Sequence, residues 1–224
     1  MEFKGVDSPA GETQSRRESR KMRNRQAILQ TAEEVFLEKG YQATTIDEIA
    51  EWAGVTKRTM YKYFPSKLAL YVSMFDDFLR SKLSAKIAET ARLDLPPDKL
   101  IIEIFNVLVD FTKENEKFQR LYWMLDSDEF DGNIPDELIN RVGNVTRMMF
   151  KEVIKVVKKA QKAGLMIDVD PELLAHLMSA INKGIFTHTS KERRLEIADI
   201  TPDQLYAVLL KILRGGLFRS PEDK

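Results

Sequence analysis

The stretch Thr44–Lys67, TTIDEIAEWAGVTKRTMYKYFPSK, decides the fold, because it holds two short helix signals around one glycine. Thr45, with Glu48 three residues later, has the form of a capping box, and Ile46, Ile49 and Ala50 share one face of the helix that follows. Gly54 stands where a tight turn needs a positive φ, with Val55 placed to plug the core beyond it. Thr56 caps a second helix, Lys57 to Phe64, whose inward side is Met60 and Phe64. Pro65 ends it. Ser66 then caps a longer helix, Lys67 to about Glu89, through Leu68, Tyr71, Val72, Phe75, Phe78, Leu79 and Leu83.

Upstream, residues 1 to about 15 are polar, contain Gly and Pro and show no period, which predicts disorder. From Arg23 to Lys39 an apolar stripe, Ile28, Ala32, Val35 and Phe36, predicts a helix that Lys39-Gly40 closes. Downstream, Pro96-Pro97 opens a helix with Leu100, Ile101, Ile104, Phe105, Leu108 and Phe111 inward, and a shorter one carries Phe118, Leu121, Tyr122 and Leu125. A long helix from Pro135 to Ala163 follows, with Leu138, Val142, Val145, Met149, Val153 and Val156 on its stripe. Pro171 begins another, through Leu174, Leu177, Met178, Ile181 and Ile185, and Thr201-Pro202 the last, through Leu205, Val208, Leu209, Ile212 and Leu213. No period-2 run is sustained. The expected class is all-α, about nine helices: a partly basic disordered arm over 1–22, a three-helix domain over 23–67 and a helical domain over 68–224.

The chain of 224 residues is 43% hydrophobic and 31% charged, the balance of an ordinary globular protein. It has no cysteine, which excludes disulfides, thiolate metal sites and cysteine nucleophiles and suits a reducing cytoplasm. No run of 18 apolar residues predicts a membrane span, and the N-terminus has no apolar core of a secretory signal. Formal net charge is zero, yet it is unevenly spread. Arg16 to Lys67 holds 11 Lys and Arg against 7 Asp and Glu, whereas 68–224 holds 23 against 25. Positive charge gathered at one end suits a surface that meets phosphates.

Two short helices around a glycine turn, with a helix before them, have the form of a helix-turn-helix. The second must fit a groove about 12 Å wide and aim donors at base edges. Between Thr56 and Lys67 the chain carries Lys57, Arg58, Lys62 and Lys67 and no acid, so nothing there repels a phosphate surface. The basic run Arg16–Arg25 lies just before the first helix, where a flexible arm would reach an adjacent minor groove.

The same stretch, with its Gly54-Val55 turn, its Tyr61, Tyr63 and Phe64 group and its Ser66-Lys67 start, resembles the signature of the TetR (tetracycline-repressor) family. That resemblance covers about residues 23–80 by motif and the rest by helix order. It implies a homodimeric regulator of transcription, cytoplasmic and not an enzyme, that binds a palindromic operator in double-stranded DNA, most simply as a repressor. It implies phosphate contacts from Thr45 and Thr56, base contacts from Lys57, Arg58 and Thr59, and backbone contacts from Tyr61, Tyr63 and Lys67, with Lys62 suited to either. The chain departs from the common family pattern at Arg58, where a small residue is usual, and at Trp52, where a polar one is usual.

The resemblance also implies a small-molecule effector in the C-terminal helices. Candidate lining residues are Phe105, Leu108, Tyr122, Trp123, Met148, Met149, Met178, Asn182 and Phe186, an apolar and aromatic set with an adaptable methionine wall. The last two helices resemble the family's dimer interface. Ala175, Ser179, Ala180 and Gly184 would permit close approach, and Leu205, Leu209, Ile212 and Leu213 would supply apolar area.

Other readings compete less well. Asp76-Asp77-Phe78-Leu79-Arg80 begins like the Asp-rich helix of a terpenoid synthase but ends in Arg80. Asp126, Asp128 and Asp131 with Glu137 hint at a calcium loop, yet Phe130 takes a ligand position and Gly132 is one place late. His176 and His188 have no carboxylate arrangement around them, so no metal and no cofactor is expected. A regulator without a small-molecule input, governed by a protein partner, bound to DNA constitutively or acting as an activator, is the remaining alternative.

Overall fold

The structure is a computed structural model that describes residues 14–125, 134–189 and 200–218. Helix α1 spans Gln14–Ala43, α2 Ile46–Trp52 and α3 Lys57–Tyr63. α4 is continuous over 67–90: α-helical in Lys67–Phe78, π-helical in Leu79–Ser84 and α-helical again in Ala85–Thr90. Then come α5 (Pro97–Glu114), α6 (Glu116–Met124), α7 (Asp136–Lys162), α8 (Pro171–Thr189) and α9 (Pro202–Leu217), nine helices and no strand among the described residues. The chain is all-α. It divides into two compact units between Met74 and Phe75, inside α4 rather than at the residue 67 boundary expected from the sequence.

In the first unit, Ile28, Ala32, Val35 and Phe36 are fully buried, as the stripe requires. α1 begins at Gln14 rather than Arg23, so the basic run 16–25 is helix and not a loose arm. The reason is local: over 14–26 no Gly or Pro interrupts the chain, and the good helix formers Arg, Glu, Lys, Met and Gln far outnumber Ser15, Ser19 and Asn24. Residues 1–13, also assigned to the arm, lie outside the described residues. At Gly40 the helical path breaks with φ 78°.

In the second unit, α5 buries Leu100, Ile101, Ile104, Phe105 and Phe111, and α6 buries Phe118 and Leu121. Phe78 stacks on Phe118 at 3.6 Å and tilts on Phe111 at 5.7 Å, joining α4 to both. A buried polar chain ties three helices: Tyr206 donates to Asn182 Oδ1 (2.7 Å), and Asn182 Nδ2 donates to Thr112 Oγ1 (2.9 Å). Thr112 in turn donates to the Leu108 carbonyl at 2.8 Å. Burial, reinforced by the Asp203 carboxylate, pushes the Tyr206 phenol up to about 12. The acidic loop Asp126 to Gly132, weighed above as a calcium site, lies outside the described residues.

Candidate nucleic-acid interface and ligand cavity

The helix-turn-helix is built by its caps. Thr45 Oγ1 accepts the Glu48 N–H at 3.2 Å, and Thr56 Oγ1 accepts the Thr59 N–H at 3.1 Å. Only half of the expected capping box forms, because the Glu48 carboxylate is taken by the Lys39 amine instead. A threonine that accepts in a cap keeps its own proton to donate, so the caps leave Thr45 a hydroxyl donor at the first turn of its helix. Thr56 shares its hydroxyl with Thr59, Oγ1 to Oγ1 at 2.9 Å. Gly54 takes φ 64°, and Val55, half-buried, closes the turn by donating to the Ala50 carbonyl at 2.9 Å.

On α3 the inward residues are Met60, fully buried, and Phe64 just past its end, 2% exposed. Lys57, Arg58, Tyr61 and Lys62 are exposed and fall at helical spacings of three to five residues, one outward face of donors. Thr59 and Tyr63 are half-buried beside it. Lys57 is not free: its amine lies 2.8 Å from Asp47 Oδ2 of α2. That hydrogen bond, and the charge behind it, holds the Lys57 amine above the usual lysine range. Sequence reasoning missed Asp47, since the pairing spans ten positions across the turn.

Lys67, expected as a DNA backbone contact, has its amine engaged within the protein. Its amine donates to the carbonyls of Tyr41 (2.8 Å), Thr44 (3.0 Å) and Gln42 (3.5 Å) and sits 4.2 Å above the Tyr41 ring. These are carbonyls left over where α1 gives way to α2, so Lys67 satisfies the helix end and fixes the entry to α2. Burial lowers its pKa below the ordinary lysine value. Trp52 is 55% exposed, with the Lys39 amine 5.6 Å from its ring. Arg25, in the basic run of α1, lies over the Phe64 ring at 5.5 Å.

The second unit encloses a cavity of about 330 Å³ walled by residues of 79–87 in α4 and by α5, α6, α7 and α8. Of the sequence candidates it takes Leu108, Tyr122, Trp123, Met149, Met178 and Asn182. Three lie elsewhere. Phe105 is buried behind the wall, 6.3 Å from the Tyr206 ring. Met148 is 45% exposed against Arg80, because it is the neighbour of Met149 and a one-residue step turns it about 100° around the helix. Phe186 supports the wall from behind, edge-on to Trp123 at 4.6 Å. Leu79 and Leu83, in the π-helical turn and expected on the inner stripe of α4, line the cavity, as does Gln119, which the periodicity did not single out. His176 joins the wall too, with its ring 4.7 Å from Phe150.

The putting-together of α8 and α9 leaves an apolar face. Leu173, Leu177, Val208 and Ile212 are 69%, 55%, 57% and 63% exposed. Ala180 and Gly184 are exposed on the same side, whereas Ala175 and Leu213, expected there, point inward and are buried. Leu177, counted above on the inner stripe of α8, is thus on the outer one.

Residues 28–74, from the first buried stripe into the first two turns of α4, match the bacterial regulatory proteins of the tetR family. That segment carries the TetR-family signature. The chain is 27% identical over 156 residues to the HTH-type transcriptional regulator RutR of Escherichia coli K12, covering 70% of each chain. Its fold is shared by a TetR/AcrR-family regulator from Thermobifida fusca, with TM-score 0.68 at 20% identity over 87% of this chain and 98% of that one. It is shared as well by a transcriptional regulator from Saccharomonospora viridis in complex with choline, with TM-score 0.71 at 16% identity over 89% of this chain and 100% of that one. Among the described residues no group of His, Asp and Glu could hold a metal ion, and no helix is long and apolar enough to cross a membrane.

Proposed function

We propose that this protein is a cytoplasmic repressor of the TetR family that holds a palindromic operator as a homodimer and is released by a small apolar or aromatic effector. The observation that carries this reading is the outward face of α3, where Lys57, Arg58, Tyr61 and Lys62 stand exposed with no acid on the helix itself. Lys57, Arg58 and Thr59, in its first turn, are the base readers, and an arginine there grips guanine O6 and N7 with a fork of two donors. Thr45 and Thr56 meet phosphates at helix N-termini, where backbone N–H groups also point outward. Tyr61, Tyr63 and Lys62 hold the register on the backbone. Lys67, with its amine spent on three carbonyls, supports the site from within.

One helix-turn-helix reads few base pairs, and a two-fold pair with half-sites about 34–36 Å apart reads twice as many. The exposed Leu173, Leu177, Val208 and Ile212 supply an apolar face for that pairing. Effector binding favours a separation of the two α3 helices that no longer matches successive major grooves, and α4, continuous from one unit into the other, carries the change. An effector with equal affinity for both states would shift nothing. The roles are tested by Lys57→Ala against Tyr63→Phe in binding to operator variants. Lys57→Ala relaxes base preference, Tyr63→Phe weakens all sites about equally, and the reverse pattern would overturn the assignment.

A further inference from the structure

Six polar residues are buried among the described ones: Thr44, Ser73, Thr112, Gln119, Asn182 and Thr189. Five are engaged. Thr44, Thr112 and Thr189 donate to helix carbonyls, Asn182 sits between Thr112 and Tyr206, and Ser73 also has a partner. Gln119 is the exception. It is 4% exposed and lines the cavity, yet its carboxamide makes no hydrogen bond to any described residue. Among the described residues no fully buried side-chain nitrogen or oxygen lacks a partner, so the Gln119 amide atoms open onto the cavity, where a ligand reaches a donor and an acceptor that no protein group has taken. We propose that Gln119 is the polar anchor of the ligand in this cavity, and that the ligand is a flat apolar molecule bearing an uncharged carboxamide or lactam group.

The chemistry of the wall selects that class. Gln119, Tyr122 and Trp123 are spaced i, i+3 and i+4 on α6, so the amide projects beside two aromatic rings, and Phe150 faces the same space from α7. Flat walls suit a ring system. The lining contains no Asp or Glu, so a cation meets no counter-charge there, while Lys183 and His176 belong to the α8 wall. A glutamine amide offers a donor and an acceptor side by side. A carboxamide or lactam matches both; a carboxylate would use the donor and set its own lone pairs against Oε1. The inference rests on the cavity being the effector site, and the experiment separates the two claims.

The test is equilibrium dialysis of the full-length protein and of Gln119→Met with 2-naphthamide and with 2-isopropylnaphthalene, which has the same shape and no polar atom. Met conserves the volume. The ratio of the two dissociation constants is expected to shift by at least about tenfold toward the hydrocarbon in Gln119→Met. If both probes bind and the ratio is unchanged, the cavity takes ligands but Gln119 does not anchor them, and the proposal falls. If neither probe binds either protein, the cavity reading falls with it. The melting temperature of Gln119→Met is expected to be kept or raised; a fall of more than about 5 °C would give the amide a packing role and also overturn the proposal.

Discussion

Lys57 Nζ lies 2.8 Å from Asp47 Oδ2, an ion pair that joins the first turn of α3 to the first turn of α2. Both side chains are largely exposed, at 60% and 62%, so water and salt weaken the pair, and it yields to a stronger acceptor. A base edge or phosphate engaged by Lys57 therefore displaces Asp47, whose carboxylate then faces the nucleic acid unpaired. Asp47→Asn is expected to tighten DNA binding by about two- to fivefold at low salt, with a smaller gain at high salt. Fluorescence anisotropy at two salt concentrations checks this, and weaker binding by the variant would contradict it.

The three carbonyls served by Lys67 lead to a different expectation. Lys67→Met removes a donor from a half-buried site and keeps the aliphatic stem, so the loss is of hydrogen bonding. It is expected to destabilise the first unit by about 1–3 kcal/mol, read as a lower urea midpoint. A variant of unchanged stability that simply binds DNA less well would return Lys67 to the role of a backbone contact.

Tyr206 gives the pH dependence. Its phenol is pushed up to about 12 from the ordinary value of 10.0, so the folded protein retains a proton that the unfolded chain gives up. The stabilisation is complete below pH 10 and is lost as pH rises toward 12, a change of about 2–3 kcal/mol for a shift of this size. Tyr206→Phe is expected to be less stable at neutral pH, since Asn182 Oδ1 loses its donor, and the gap to wild type is expected to close between pH 10 and 12. Chemical denaturation across that window measures it, and a gap that widens with pH would contradict the assignment.

The face on α8 and α9 is tested by charge. Leu177→Glu places a carboxylate among Leu173, Val208 and Ile212, and because the residue is 55% exposed the monomer fold tolerates it. Sedimentation velocity is expected to show a dimer for wild type and a monomer for the variant. A variant that stays dimeric would move the interface elsewhere.

Much of this fold was legible because its signals are local. The caps at Thr45 and Thr56, the positive φ at Gly54 and the stripe through Phe36 each depend on residues within a turn or two. The cavity was half legible: helical spacing found Tyr122, Trp123 and Met149, but could not tell Met149 from Met148, which a one-residue step sends outward. Long-range pairings were not legible at all. Lys57 with Asp47, and Lys67 with carbonyls 23 to 26 residues away, depend on how helices pack, and a basic residue in such a stretch reads first as a nucleic-acid contact. Gln119 looks like any surface glutamine until its burial is known.

The central claim is that two copies of α3 read one symmetric site, and selection of bound duplexes from a random pool by the full-length protein tests it most directly. The expected result is a palindromic consensus whose half-sites lie about one helical turn apart, lost together with the dimer in Leu177→Glu. Enrichment of no sequence above non-specific binding, or of a single asymmetric half-site, would contradict it.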